Sequence, residues 1–391
     1  HNLIGWWIVN TIVRPYVRHK YHLTYKKFKD SKKRQYLVLI NHQTPMDQFF
    51  FSLMFYGKKH LVVTEDVMRN GFISSIIKFL ISPIPFRKSS TDAQAVMTCI
   101  RKAREGGTIF LAPEGNRTYS GKTGYIKPSV AKLAKALKLP VAILKIEGGY
   151  SVQPRWANTV RKGKCRAYIQ EVLEYENFKD IPDEQLAELI KEKLYNDESG
   201  DTGIYKDKHR AEYLERAIFI CPDCGLTTFY SDHEKVRCET CKKEIIYNEN
   251  KTLTGNGFEF PFKNVGEWYE YQEKYINNLD VNKFNTTPAY TETVRFIRVF
   301  SDKAKVVLSV NASISLYGDR YVVKINNKTR VFEFNNISAV TVLGRNKMDF
   351  YYNDEIYQIK GGKRFNALKY MFFFYRKKNM EEEKNGTFLG L

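Results

Sequence analysis

The sequence predicts an α/β domain, a sheet flanked by helices, followed by a small zinc ribbon and a C-terminal β-barrel capped by one helix. Three observations carry this. Apolar runs of strand length alternate with helical patterns through the first half, and several end in a charged turn. Two Cys-x-x-Cys pairs follow near residue 220. From about residue 289 the pattern becomes short alternating strands and a final amphipathic helix. The expected division is an interfacial segment over 1–34, the α/β domain over 35–203, a zinc ribbon with a leading helix over 204–250, a connecting segment over 251–288, the barrel over 289–378 and a tail over 379–391.

The first segment is read through charge. The chain has 391 residues, 63 basic against 43 acidic, a net charge of +20 and 43% hydrophobic content. That is enough for more than one core, and the charge points to anionic lipid or nucleic acid as partner. Leu3 to Val13 is apolar with adjacent tryptophans, yet shorter than the roughly 20 residues a spanning helix needs. Between Arg14 and Arg34 stand nine Lys or Arg and one acid, Asp30. Together they predict an interfacial anchor on an anionic membrane surface. A signal peptide and an ordinary buried helix are the alternatives for Leu3 to Val13.

In the α/β domain, the apolar run Tyr36 to Ile40 ends in Asn41-His42-Gln43-Thr44-Pro45-Met46-Asp47. Thr44 suits a helix cap and Pro45 a first turn, which lets His42 fold back toward Asp47. A carboxylate there fixes the imidazole tautomer and raises its basicity, as a general base requires. The bland alternative is a capping box beside a loop histidine. Gly107 to Ala112 reads as a second buried strand, running into Pro113-Glu114-Gly115-Asn116-Arg117. Arg87-Lys88-Ser89-Ser90 forms another charged turn. Ligands of open α/β sheets bind beyond the carboxyl ends of the strands, so one cleft would collect all three sets. Planar guanidinium groups make Arg87 and Arg117 suited to a phosphate, against the alternatives of a basic loop and of an Arg117–Glu114 surface pair. Two apolar stretches, Gln48 to Tyr56 and Phe72 to Ile81, are read as core packing, as the lining of an apolar channel or as segments that dip into lipid. No Gly-x-Ser-x-Gly elbow is present, which argues against a triad hydrolase.

Asn-His-x4-Asp at 41–47, the Arg87 turn, Pro-Glu-Gly-x-Arg at 113–117 and Leu139-Pro140-Val141-Ala142-Ile143 stand in the order found in the glycerolipid acyltransferases, typified by 1-acylglycerol-3-phosphate acyltransferase. The first 175 or so residues resemble that family. The resemblance implies transfer of a fatty acyl group from acyl-CoA or acyl carrier protein, the thioester donor, to the free hydroxyl of a lysophospholipid acceptor. It implies His42 as base with Asp47 as its partner, Arg87 and Arg117 as phosphate contacts, and Asn41, Glu114 and Gly115 as substrate-binding. Leu111-Ala112 and Thr118 depart from the family's usual residues, which bears on acceptor identity more than on reaction type.

Asp183 to Asn196 has helical spacing and closes the domain. After a short helix expected around His209 to Ile218 come Cys221, Cys224, Cys238 and Cys241, a closed four-thiolate set suited to structural Zn2+, with His233 a minor alternative ligand. Cys99 and Cys165 read as buried hydrophobes. This usage implies a reducing compartment, hence a cytoplasmic protein, peripheral on the inner face of the membrane. Phe262 to Leu279 reads as a connecting helix. Eight strands between Thr293 and Ile359 and a helix over Arg364 to Arg376 resemble, by element order, a pleckstrin-homology-like barrel. The oligomeric state is open. Two other readings remain: a basic zinc-ribbon protein that binds nucleic acid, and a lipid-binding protein with an inactive transferase site.

Overall fold

The computed structural model describes residues 8–64, 83–86, 93–200, 203–300 and 305–383. Arg87, the whole of Phe72 to Ile81 and the first five residues of Leu3 to Val13 lie outside them. The chain forms two compact units, one of His1–Pro154, Val160–Glu198 and Thr202–Lys206, the other of Arg155–Thr159, Ser199–Asp201 and Asp207–Leu391.

The first unit is α/β. Strands β1 (Leu23–Tyr25), β2 (Leu37–Ile40), β3 (Lys58–Thr64), β4 (Ile84–Phe86), β5 (Gly107–Leu111), β6 (Val141–Glu147) and β7 (Cys165–Leu173) form one sheet in the order β1-β7-β6-β2-β5-β3-β4. The strands from β6 to β4 in that order are mutually parallel, and β7 is antiparallel to β6. Central strands covered on both faces must be apolar throughout, and β2 is buried at every position. Alternate side chains feed two cores. Leu37, Leu39, Ile109 and Ile143 pack with Cys99, Ala131, Ala134, Leu186 and Ile190 of the helices Ala93–Arg104, Ser129–Leu137 and Asp183–Leu194. Val38, Ile40, Phe110 and Leu144 pack on the opposite face with Val17 of the helix Arg14–Lys20 and with Phe50, Phe51 and Met54 of the helix Asp47–Met54. The Phe51 and Phe110 rings stack with centroids 4.5 Å apart. The expected core role of the Gln48 to Tyr56 stretch is what these contacts show.

Strand β1 pairs in parallel with β7 and so runs against β2. The basic stretch is thereby divided. Arg14, Arg18 and Lys20 precede β1 and lie toward the edge where β2, β5 and β6 end; there the Tyr21 hydroxyl donates to Gln153 Oε1 at 2.7 Å. Lys26 to Arg34 follow β1 and lie toward the opposite edge, where the Lys27 and Lys32 ammonium groups stand 4.9 and 4.7 Å from the Tyr56 ring centroid. Arg34 is held by paired 2.8 Å bonds to Glu174.

The second unit begins with turns and a single 3-10 turn at Leu214–Arg216 where a helix was expected. Helix formation is interrupted because Tyr213 adopts a φ of +73° and its N–H donates to Ser231 Oγ, while the Ala211 N–H donates to the carbonyl of His233. Next come a two-stranded ladder, β8 (Ile220–Cys221) with β9 (Gly225–Leu226), and a four-stranded sheet of β10 (Phe229–Asp232), β11 (Lys235–Cys238), β12 (Glu244–Tyr247) and β13 (Leu253–Gly255). The helix Val265–Asn278, capped by Asn264, follows. It is welded to the ribbon: the Trp268 indole N–H donates to the Ile220 carbonyl at 2.8 Å, and Gln272 bonds the backbones of Phe219 and Ala217.

The C-terminal part is a seven-stranded antiparallel sheet, curled as a half-barrel, in the order β17-β16-β15-β14-β20-β19-β18. Its strands are β14 (Tyr290–Val299), β15 (Val306–Leu316), β16 (Arg320–Ile325), β17 (Lys328–Glu333), β18 (Ile337–Leu343), β19 (Lys347–Tyr352) and β20 (Glu355–Gly361). Seven strands replace the eight expected. Two of the expected strands run together as β15, which is bulged opposite Val294–Ile297. The closing helix runs Leu368–Glu381 rather than from Arg364, because Asn366 Oδ1 accepts the Leu368 N–H at 2.8 Å and fixes the helix start there. The Tyr321 hydroxyl donates to the Tyr370 carbonyl at 2.8 Å and seats the helix on the sheet.

Candidate active site and metal centre

Strand β2 lies between β6 and β5, so the loops leaving all three meet at one edge of the sheet. Asp47 opens the helix after β2. Its carboxylate is 1% exposed and takes five bonds: from His42 Nδ1 at 2.8 Å, Gln43 N at 2.8 Å, Thr44 N at 3.0 Å to each oxygen, and the Thr44 hydroxyl at 2.6 Å. The helix starts two residues later than the expected Pro45, with Thr44 Oγ1 accepting the Met46 N–H. A buried carboxylate with its lone pairs filled stays fixed, and it fixes what it touches. With Nδ1 engaged, Nε2 is the ring nitrogen free for chemistry; the His42 side chain is 26% exposed.

Two neighbours hold the His42 backbone. Asn41 is fully buried, and its amide makes a closed pair with Ile146 of β6, donating to the carbonyl and accepting the N–H, both at 2.8 Å. Glu114, beyond β5, accepts the His42 N–H at 2.7 Å with one oxygen and the Gly124 N–H at 2.6 Å with the other. Burial pushes its carboxyl up to about 7, against the pull of those two amides. Gly115 takes a φ of +70°, which makes the tight turn after Glu114 with its N–H on the Ala112 carbonyl. Arg117 is half-buried in the same loop, next to Thr118, whose N–H donates to the His42 carbonyl at 3.4 Å. Arg87 would follow the edge strand β4 and lies outside the described residues.

The loop partners of His42 were not readable in advance. Ile146 and Gly124 have no motif, and Glu114 stands 72 residues from the amide it binds. Gln43 is also new: its N–H helps fill Asp47, while its own amide atoms are buried without a bond among the described residues.

In the second unit, the sulfurs of Cys221, Cys224, Cys238 and Cys241 all lie within 4.8 Å of one another, close enough to bind a metal. Cys221 and Cys241 stand 3.9 Å apart and Cys224 and Cys238 4.0 Å apart. Zinc–sulfur bonds of ~2.3 Å in a tetrahedron imply sulfur–sulfur edges of roughly 3.8 Å, so the set fits. Thr227 Oγ1 lies 3.6 Å from Cys238 Sγ and orients it from behind. His233 is not part of the cluster. Gly225 has a φ of +71°, and a Cβ there would come 2.4 Å from the Tyr275 hydroxyl.

A buried carboxylate presenting an imidazole at the carboxyl edge of a mostly parallel sheet is a site competent for general-base chemistry on a hydroxyl. Residues 20–147 match the family model described as Acyltransferase. Among solved structures, the chain is similar to the 1-acyl-sn-glycerophosphate (LPA) acyltransferase PlsC from Thermotoga maritima, at 21% identity over 49% of this chain and 76% of that one, with a TM-score of 0.42. No curated protein matches the chain. Among the described residues no helix is long and apolar enough to cross a membrane.

Proposed function

We propose that the protein is a membrane-associated glycerolipid acyltransferase that moves a fatty acyl group from acyl-CoA or acyl carrier protein to the free hydroxyl of 1-acylglycerol-3-phosphate, giving phosphatidic acid. The observation that carries this reading is the 2.8 Å bond between His42 Nδ1 and the buried Asp47 within the stretch that matches the Acyltransferase family model. Nε2 of His42 takes the proton of the acceptor hydroxyl as its oxygen attacks the thioester carbonyl. Asp47 stabilises the imidazolium so formed. Collapse of the tetrahedral oxyanion expels the thiolate, which takes the proton back from Nε2 and leaves as the thiol. Ser and Cys nucleophiles are not needed, and none is engaged with His42 among the described residues.

Arg117, in the Glu114 loop, and Arg87, after β4, are assigned to the acceptor phosphate. Asn41 and Glu114 are positioning residues in this reading, because the bonds described above already occupy the polar atoms expected to meet substrate. Of the basic stretch, the part beside the catalytic edge, Arg14, Arg18 and Lys20, is assigned to the anionic membrane, with exposed Ile12 and Tyr16 next to it. The cytoplasmic, inner-face location expected from cysteine usage belongs to the same proposal. The four thiolates are assigned to a structural Zn2+, with the ribbon, connecting helix and pleckstrin-homology-like sheet as the parts of the second unit.

The test is incubation of purified protein with a labelled long-chain acyl thioester and a panel of lysolipids. Product is expected with lysophosphatidate, little with its dephosphorylated analogue, and none with His42→Ala. Equal rates for wild type and His42→Ala would remove the imidazole from the reaction.

A further inference from the structure

The outer edge of β15 is only half used. β14 pairs with it from Leu316 to Val306, whereas β16 pairs only with Ser313 to Leu316. Among the described residues, no strand pairs with Val306 to Ala312 on the side away from β14, where the Asn311 N–H is taken by Ser309 Oγ at 3.2 Å. The side chains there are apolar and exposed, 48% at Val306, 40% at Val307 and 62% at Val310. Val-Val-Leu-Ser-Val-Asn contains none of the lysines or prolines that ordinarily blunt a strand edge.

The register also fixes what stands beside that edge. Lys324 of β16 faces Ser313 where pairing stops, and exposed Lys328 stands opposite Ile325 across the turn into β17, on the other face of the sheet. No carboxylate pairs with either of these two among the described residues. A second copy of the chain would set the cations of both copies against each other, in a protein already at +20. A bilayer would leave the free N–H and C=O groups without partners, which lipid tolerates poorly.

We propose that the free edge of β15, Val306–Asn311, takes an extended peptide of alternating apolar residues with acidic flanks as an added strand. The incoming strand runs antiparallel to β15, continuing the line of β16. Its backbone closes the open ladder, and its acidic end meets Lys324 on one face of the sheet and Lys328 on the other. This stands independently of the acyl-transfer reading.

The experiment uses the full chain and a short fluorescein-labelled peptide of alternating Val and Thr with Glu at both ends, read by anisotropy. Comparison peptides carry Lys at both ends or Pro at the centre. The paired substitution Val307→Lys and Val310→Lys alters exposed positions only, and its thermal unfolding is followed alongside. Binding of the Glu-ended peptide is expected, weakened roughly tenfold or more by Lys ends, by Pro or by the paired substitution, with the melting temperature unchanged. No binding, or equal binding of the Lys-ended or Pro-bearing peptide, overturns the proposal. So does a wild-type dimer, seen by sedimentation, that the paired substitution dissolves, since the edge would then belong to a second copy.

Discussion

Glu114 holds the backbone of His42 from the neighbouring strand, accepting its N–H at 2.7 Å, so the height of the imidazole above the sheet is set by a residue of a different loop. Glu114→Gln keeps the shape but points an amide N–H at one of two amide donors. Loss of one clamp is expected to lower kcat roughly 10- to 100-fold, with KM for the thioester little changed. Steady-state kinetics with varied donor measures this. A large rise in KM with unchanged kcat would instead place Glu114 in donor binding.

The same carboxyl makes stability depend on pH. Its folded value, about 7, lies above the roughly 4.3 of an unfolded glutamate, so the folded chain binds more protons between these limits. The contribution is therefore most favourable below about pH 4.3 and declines as pH rises toward 7, by up to about 3 kcal/mol. Urea unfolding of wild type against Glu114→Gln, across pH 5 to 8, reads the difference, and the wild type should lose stability relative to the variant as pH rises.

Asp47→Asn replaces an all-acceptor group with one whose N–H atoms face the Gln43 and Thr44 amides. The imidazole loses its stabilising charge and its tautomer. Turnover is expected to fall on the order of 10³-fold or more, as carboxylate loss behind a catalytic imidazole does elsewhere. Thioester release against pH measures it, and a variant within threefold of wild type would deny Asp47 that role.

Asn41→Ala leaves the N–H of Ile146 unpaired in the core and its carbonyl with only the long 3.4 Å bond from Asn196 Nδ2. The cost is expected to be roughly 2–5 kcal/mol. Denaturant unfolding followed by far-ultraviolet circular dichroism checks it.

Removing metal with a strong chelator is expected to release one zinc per chain and to destabilise the second unit. Trp268, bonded to Ile220 beside the first cysteine pair, supplies the signal, a red-shifted emission as its indole is exposed. Cys238→Ser should bind no zinc and melt like the chelated protein. Unchanged emission and melting after metal loss would show that the ribbon holds without it.

The features legible in the sequence were those encoded over short spans. Two Cys-x-x-Cys pairs specify a four-thiolate set because each turn holds its own two sulfurs, and His42 and Asp47 meet because one helix start lies between them. Buried strands announced themselves as apolar runs, and the Asp183–Leu194 helix as a periodic one. What stayed hidden depends on neighbours distant in the chain. The bonds of Asn41 to Ile146 had no signal, because the partner is a backbone with no distinctive side chain. The expected helix near His209 gives way to donors captured by Ser231 and His233, and two of the eight expected strands run together as the bulged β15. The direction of β1 was equally unreadable, since three residues say nothing of which way they pair.

The Trp268 indole bond to Ile220 and the Tyr290 hydroxyl bond to the Thr227 carbonyl, at 3.0 Å, bind the cysteine knuckles to a helix and a strand that come much later in the chain. A transplant of residues 204–250 into another protein would leave these acceptors bare and its apolar flank wet. An engineer wishing to borrow the ribbon would have to carry its helix along, and any lineage that shed the terminal sheet would have had to redesign the finger it left behind.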